Sequence, residues 1–156
     1  MSMSPEPQRV RVSREADVTL LTLNRPDKLN PLDWATLREL LAAVEQIERE
    51  DSPRSVIITG SGRAFSAGGD LQGYVELYRD RTRFRAFLDD FFAVLDRIER
   101  STRIYIAAIN GACVAGGLEL MLACDLVLAA ESARIGDGHV NSVSYTHLTL
   151  PTILLV

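Results

Sequence analysis

The sequence is poor in the residues that usually advertise metal, redox or nucleic-acid chemistry: two cysteines, two histidines, one tryptophan and a single lysine in 156 residues. Cys113 and Cys124 stand in apolar surroundings and match no zinc or redox spacing, so they read as two buried thiols in a reducing compartment. No metal site is expected. Lys28 is the lone lysine; every other basic residue is arginine, a compositional bias to which no function is attached. The 17 basic residues are outnumbered by 21 acidic ones, for a net charge of −4 and a pI near 5.2. Nucleic acid and anionic membranes call for clustered Lys and Arg, and neither is expected as a partner. No apolar run approaches the ~20 residues of a membrane span. The polar Met1–Gln8, with Pro5 and Pro7, lacks the apolar core of a secretory signal and is expected to be disordered. A cytoplasmic location is the expectation.

What is present is a chain with 47% apolar residues, ordinary for one domain with a real core. Valine alternates with polar residues over Arg9–Arg14, and Val18–Leu23 reads as its hairpin partner. Asn30 before Pro31 predicts a helix start with Asn30 as the cap. Leu37, Leu40, Leu41, Val44 and Ile47 then mark the core face of a helix over Leu32–Glu50, closed by Asp51-Ser52-Pro53. Ser55–Thr59 and Ile104–Ile109 predict buried strands. Between them lies a long helix, Arg81–Arg100, with Phe84, Leu88, Phe91, Leu95 and Ile98 on one stripe, widened by Phe87 and Phe92. Leu118–Cys124 reads as a short apolar helix; Leu126–Ala129 and Ala133–Gly136 are further strand candidates. Strands alternating with helices predict an α/β domain with parallel strands, and no sequence repeat is visible. From about Ser142 the chain turns Ser/Thr-rich, without period, and closes on an apolar Ile153–Val156.

Two glycine-rich turns carry the chemistry. In the second, Gly111–Glu119, Ala115-Gly116-Gly117 precedes the short helix, whose first N–H groups have no partner within the helix and face negative charge favourably. A carbonyl oxygen gaining charge would be stabilised there. Glu119, one turn along and among apolar residues, is expected to be buried, with a raised pKa suited to proton transfer. The alternative is a buried glutamate paired with an arginine. In the first turn, Ala64–Leu71, small residues again leave backbone N–H groups open, and one donor from each turn would make a two-point oxyanion hole. Glycine-rich strand-to-helix turns are also common structural devices. Asp70 fits a loop or helix cap better than a catalyst. Ser66 is no nucleophile elbow, because Ala64 stands where Gly-x-Ser-x-Gly needs its first glycine. Gly60-Ser61-Gly62 is a poor dinucleotide fingerprint, since Phe65 replaces the third glycine. His139 and His147 read as solvated or core histidines as readily as ligands.

Three segments resemble the enoyl-CoA hydratase/isomerase (crotonase) family, in the family's order and spacing: Leu23–Leu32, Ile57–Leu71, and Ile106–Gly111 continuing through Cys124-Asp125-Leu126. The resemblance covers about Val10 to Asn141. It implies a spiral of ββα units assembled as trimers or pairs of trimers, and a thioester enolate held in an oxyanion hole. It places the two donors on the N–H groups of Ala67 and Gly116 and the first family glutamate on Glu119. Lys28 and Leu29, with Ala64, Ser66, Gly68, Asp70 and Leu71, correspond to the surface that binds coenzyme A. No further cofactor is implied, since coenzyme A arrives with the acyl thioester substrate. Hydratases of the family carry a second glutamate where this chain has His139, so hydration, isomerisation and hydrolysis all stay open. In place of the second glutamate, His139 or Asp137 is the acid/base candidate, or Glu119 acts alone. Ser142–Val156 resembles nothing in the family, which expects a long helical C-terminal region. The expectation is a disordered 1–8, a partial core over 9–141 truncated before that region, and a foreign tail over 142–156. Rivals to the enzyme reading are a polypeptide that only binds acyl-CoA or is inert, and a serine peptidase of the related spiral fold.

Overall fold

The computed structural model describes residues 8–51 and 54–138. The Met1–Gln8 expectation bears on this range only at Gln8, and the expectations on His139, His147 and the 142–156 tail lie outside the described residues.

β1 (Val10–Glu15) and β2 (Val18–Leu23) form the antiparallel hairpin that alternation predicts. β2 then pairs in parallel with β3 (Ser55–Gly60), β3 with β5 (Ile104–Ile109), and β5 with β7 (Leu126–Ala129), giving a five-stranded sheet in the order β1-β2-β3-β5-β7. The short strands β4 (Ala64–Ser66), β6 (Ala112–Val114) and β8 (Arg134–Gly136) form a second, parallel sheet. Every strand of the large sheet after β2 is therefore followed at once by a strand of the small one. The chain climbs in ββα turns, the spiral architecture expected. The repeat is structural only: its turns differ in length and in sequence.

α1 (Trp34–Arg49) and α3 (Arg81–Arg100) pack on one face of the large sheet and on each other. On α1 the buried residues Thr36, Leu37, Leu40, Ala43, Val44 and Ile47 recur every three or four positions, as an amphipathic helix requires. They close on Leu21, Leu23, Val56, Ile58, Tyr105, Ala107 and Ile109. Full burial of one such side chain is worth about 1.5–3 kcal/mol. Arg97 of α3 bridges to Glu45 and Glu48 of α1 at 2.8 and 2.7 Å.

Several boundaries differ from the sequence reading. The cap of α1 is Asp33, whose Oδ1 accepts from the Thr36 N–H at 2.9 Å, and not Asn30. The helix accordingly starts at Trp34. The first glycine turn, Ala64–Leu71, begins with β4, and the second, Gly111–Glu119, contains β6. α2 (Leu71–Leu77) was not foreseen: its seven residues are too few to establish a period. α3 buries Phe87, Phe91, Val94 and Ile98, whereas Phe92 is 59% exposed. α4 spans Gly116–Leu122. β7 is exposed along its length, with Leu126 and Leu128 among the exposed large apolar side chains, as are Leu122 of α4 and Ile135 of β8. Cys113 is buried and Cys124 half-buried, both as free thiols.

Candidate active site

The two glycine turns leave the small sheet side by side. β4 and β6 are parallel neighbours, with Ala64 opposite Ala112 and Ser66 opposite Cys113. Beyond the strands the turns interlock through glycine. A Cβ on Gly68 would lie 2.7 Å from the Ala115 Cβ, 3.1 Å from the Val114 carbonyl and 3.2 Å from the Gly116 nitrogen. A Cβ on Gly117 would lie 2.5 Å from the Ser66 carbonyl oxygen. Gly68 also has a φ of +87°, a left-handed conformation that side chains resist. Only bare backbone brings these turns so close.

The first turn is clipped to the chain before α1. The Ala67 N–H donates to the Leu29 carbonyl at 2.9 Å, and the Leu32 N–H donates to the Gly68 carbonyl at 2.8 Å. Leu29 and Asn30 reach this position through left-handed φ values of 61° and 53°. Asn30, expected as a helix cap, is instead a buried bolt. Its Oδ1 accepts from the Arg25 N–H, and its Nδ2 donates to the carbonyls of Ser61 and Ala64. Asn110 makes a second bolt, donating from Nδ2 to Gly62 and Ala64 and accepting at Oδ1 from the Gly60 N–H. Asn30 stands out in the sequence only as a cap and Asn110 not at all; the bolting role of each depends on carbonyls that the fold brings to it.

Ser66 is fully buried, and its Oγ accepts from the Gly68 N–H at 3.2 Å. It serves the turn and is not presented as a nucleophile. Asp70 begins α2: its carbonyl accepts from the Tyr74 N–H at 2.9 Å and its Oδ1 from the Gly73 N–H at 3.4 Å. Leu71 is the first residue of that helix. Ala64 is buried, so its side chain and that of Ser66 are closed to a ligand, while Lys28 is exposed at the end of the 3-10 turn Pro26–Lys28.

In the second turn Ala115 has φ 50° and ψ −126°, a conformation that costs a non-glycine residue about 1–3 kcal/mol and that clusters at functional sites. It swings the chain from β6 into α4. The Leu118 and Glu119 N–H groups both donate to the Ala115 carbonyl, whereas the Gly116 N–H has no hydrogen bond among the described residues. Glu119 stands in the first turn of α4 and is half-buried, less enclosed than its apolar neighbours implied. Asp137 follows β8. Tyr74, which the sequence reading passed over, lies with its phenol on Gly69. Burial first, and then the neighbouring Tyr78, Glu119, Asp70 and Asp33, push that phenol up to about 12. Among the described residues no cluster of His, Cys, Asp or Glu could hold a metal ion, and no helix is long and apolar enough to cross a membrane.

A profile of the enoyl-CoA hydratase/isomerase family matches residues 13–145. The chain belongs to that family. It is 34% identical over 136 residues to the short-chain-enoyl-CoA hydratase of Clostridium acetobutylicum, covering 86% of this chain and 51% of that protein. Among solved structures, an enoyl-CoA hydratase/carnithine racemase from Magnetospirillum magneticum superposes with a TM-score of 0.83 at 33% identity, over 92% of this chain and 54% of that one. The enoyl-CoA hydratase of Bacillus anthracis superposes with a TM-score of 0.80 at 36% identity, over 86% and 52%. The chain thus spans about half the length of the relatives it matches. The spiral of ββα units is the crotonase fold these enzymes share.

Proposed function

We propose that this family member acts on acyl-CoA thioesters, polarising the thioester carbonyl between the two glycine turns while Glu119 moves a proton at the α or β carbon or activates water. One observation carries the reading: Gly68 packs on the 115–116 peptide, so the first turn lies against the Gly116 N–H, and Glu119 follows one helical turn later. An enolate oxygen at that N–H gains both a donor and the positive end of a helix. Removing one such donor typically costs about 3 kcal/mol of barrier. The Ala67 N–H, already donating to Leu29, contributes as a shared, three-centre donor. Lys28 and the 29–32 segment clipped to the first turn form the coenzyme A surface, and His139 is the second candidate acid/base. No cofactor beyond the coenzyme A of the substrate is required.

The test is turnover of crotonyl-CoA together with binding of butyryl-CoA. Glu119→Gln should abolish turnover and leave binding within twofold. Undiminished turnover would remove Glu119 from the mechanism; absence of butyryl-CoA binding by the unsubstituted chain would remove the thioester reading itself.

The exposed side chains of Leu122, Leu126, Leu128 and Ile135 support a second reading, a chain that binds acyl-CoA without turning it over and buries them against copies of itself. Light scattering with the same assay separates the two. A trimer or hexamer with turnover refutes the second reading; binding without turnover establishes it.

A further inference from the structure

Tyr74 stands in this site without a part in the chemistry above. Its N–H bond to the Asp70 carbonyl fixes it one turn into α2, and a helical side chain runs back toward the helix N-terminus. The phenol therefore returns onto the first glycine turn. A Cβ on Gly69 would lie 2.0 Å from its Oη, 2.2 Å from Cζ and 2.4 Å from Cε2, so the ring rests on bare backbone there. The ring is held from behind by Phe87, edge-on at 5.3 Å, and by Tyr78 at 6.3 Å. Among the described residues the hydroxyl has no hydrogen bond. It nevertheless feels the carboxylates of Glu119, Asp70 and Asp33, and its ionisation is held so high that it remains a donor at any physiological pH.

A donor held by ring packing against the backbone of a ligand-binding turn is a recognition device for a polar group. Its position sets where that group lies. Gly69 is two residues beyond Ala67, at most about 7 Å along the chain. The phenol on Gly69 therefore stands within the span of an acyl chain whose carbonyl lies at those N–H groups, and the carbonyl, α and β carbons are already served by the N–H groups and Glu119. We propose that the Tyr74 hydroxyl is a specificity group, donating a hydrogen bond to an oxygen at the γ carbon or beyond, so that the site prefers oxygenated acyl chains to plain hydrocarbon ones. The inference rests on the acyl-thioester reading.

The experiment compares butyryl-CoA with 4-hydroxybutyryl-CoA by calorimetric titration of the full chain and its Tyr74→Phe variant. Both esters are saturated, so neither is a substrate for hydration. The unsubstituted chain should bind the hydroxy ester about threefold to tenfold more tightly, the span of one net hydrogen bond. Tyr74→Phe should bind butyryl-CoA within twofold of the original and lose the preference. A preference that survives Tyr74→Phe, or is absent from the original chain while butyryl-CoA binds, overturns the proposal and leaves the thioester reading intact; if neither ester binds, both fall. A readout independent of the variant's folding is 19F NMR of the chain labelled with 3-fluorotyrosine. One resonance should move with 4-hydroxybutyryl-CoA and stay with butyryl-CoA, and equal movement with both overturns the assignment.

Discussion

Gly117 rests directly on the Ser66 carbonyl: a methyl group at 117 would stand 2.5 Å from that oxygen and 2.9 Å from the Ser66 Cβ. This contact, with the one between Gly68 and the 115–116 peptide, sets the spacing of the two turns and hence of any oxygen bound between them. Gly116, its immediate neighbour, differs. A Cβ there would meet the Leu32 Cδ1 at 3.5 Å and Phe91 at 3.7 Å, ordinary contacts.

Gly117→Ala and Gly116→Ala should therefore behave oppositely. The first forces β4 and α4 apart and is expected to cost at least about 2 kcal/mol, as overpacking against backbone does. The second relieves a helical glycine and should leave stability unchanged or raise it by about 0.5–1 kcal/mol. Urea denaturation of the two variants decides the matter. Equal losses would mean that the turns are not held by backbone contact.

Asn30 yields the second prediction. It is 1% exposed, accepts from the Arg25 N–H at 2.8 Å, and donates to Ser61 and Ala64 at 2.9 and 2.8 Å. Its left-handed φ is one that asparagine tolerates better than most residues. Asn30→Ala strands these partners and strains the backbone, for an expected loss of about 3 kcal/mol. Asn30→Asp keeps the acceptor but turns a carboxylate toward two carbonyls, and should be no better. A melting temperature within two or three degrees of the original for either variant, a shift worth less than about 1 kcal/mol, would refute the bolt.

The contrast between Asn30 and Leu37 shows what the sequence could and could not disclose. Leu37, Leu40, Val44 and Ile47 announce their helix because burial imposes a period on them, and the long strands announce themselves by their apolar runs. β4, β6 and α2 are too short to carry a period; pairing and packing with distant segments form them. Asn30-Pro31 satisfied the local rule for a helix cap, and the tertiary contacts of Ser61 and Ala64 overrode it. The glycine turns were conspicuous by composition, whereas their interlock depends on Gly68 meeting Ala115 across 47 residues of chain. Tyr74 was invisible for a related reason: a tyrosine in a seven-residue helix acquires meaning only when its phenol is seen on Gly69.

The cysteines give a prediction in pH. Burial pushes Cys113 up to about 11, and burial, then Asp125 and Cys113, push Cys124 up to about 12. In the unfolded chain a thiol ionises near 8.5, about 2–4 units lower. Above pH ~8.5 the unfolded chain releases protons that the folded chain keeps, so stability is full below that pH and falls as pH rises toward the folded values. Each thiol contributes at most about 1.4 kcal/mol per pH unit to the fall. The urea midpoint should thus drop between pH 8 and 10, and less so in Cys113→Ala relative to its own value at pH 8. In the folded chain both thiols should react with a disulfide reagent at pH 8 far more slowly than in urea. Equal rates in the two states would contradict their burial.

Asp33 tests the corrected start of α1. Its Oδ1 accepts from the Thr36 N–H at 2.9 Å and from the Thr36 hydroxyl at 2.8 Å. Its Oδ2 meets Arg9 at 2.9 Å and also pairs with Arg25. The cap and the ion pairs can be separated, because asparagine caps a helix about as well as aspartate but carries no charge. Asp33→Asn should lose only the ion pairs, about 0.5–1 kcal/mol in this half-exposed setting, and the difference should shrink in 1 M salt. Asp33→Ala loses the cap as well and leaves two guanidinium groups facing each other, for a total of about 2 kcal/mol. Asn30 cannot stand in, since its side chain is committed to Arg25, Ser61 and Ala64. If Asp33→Ala is no worse than Asp33→Asn in urea denaturation, Thr36 does not depend on this cap and the helix starts elsewhere.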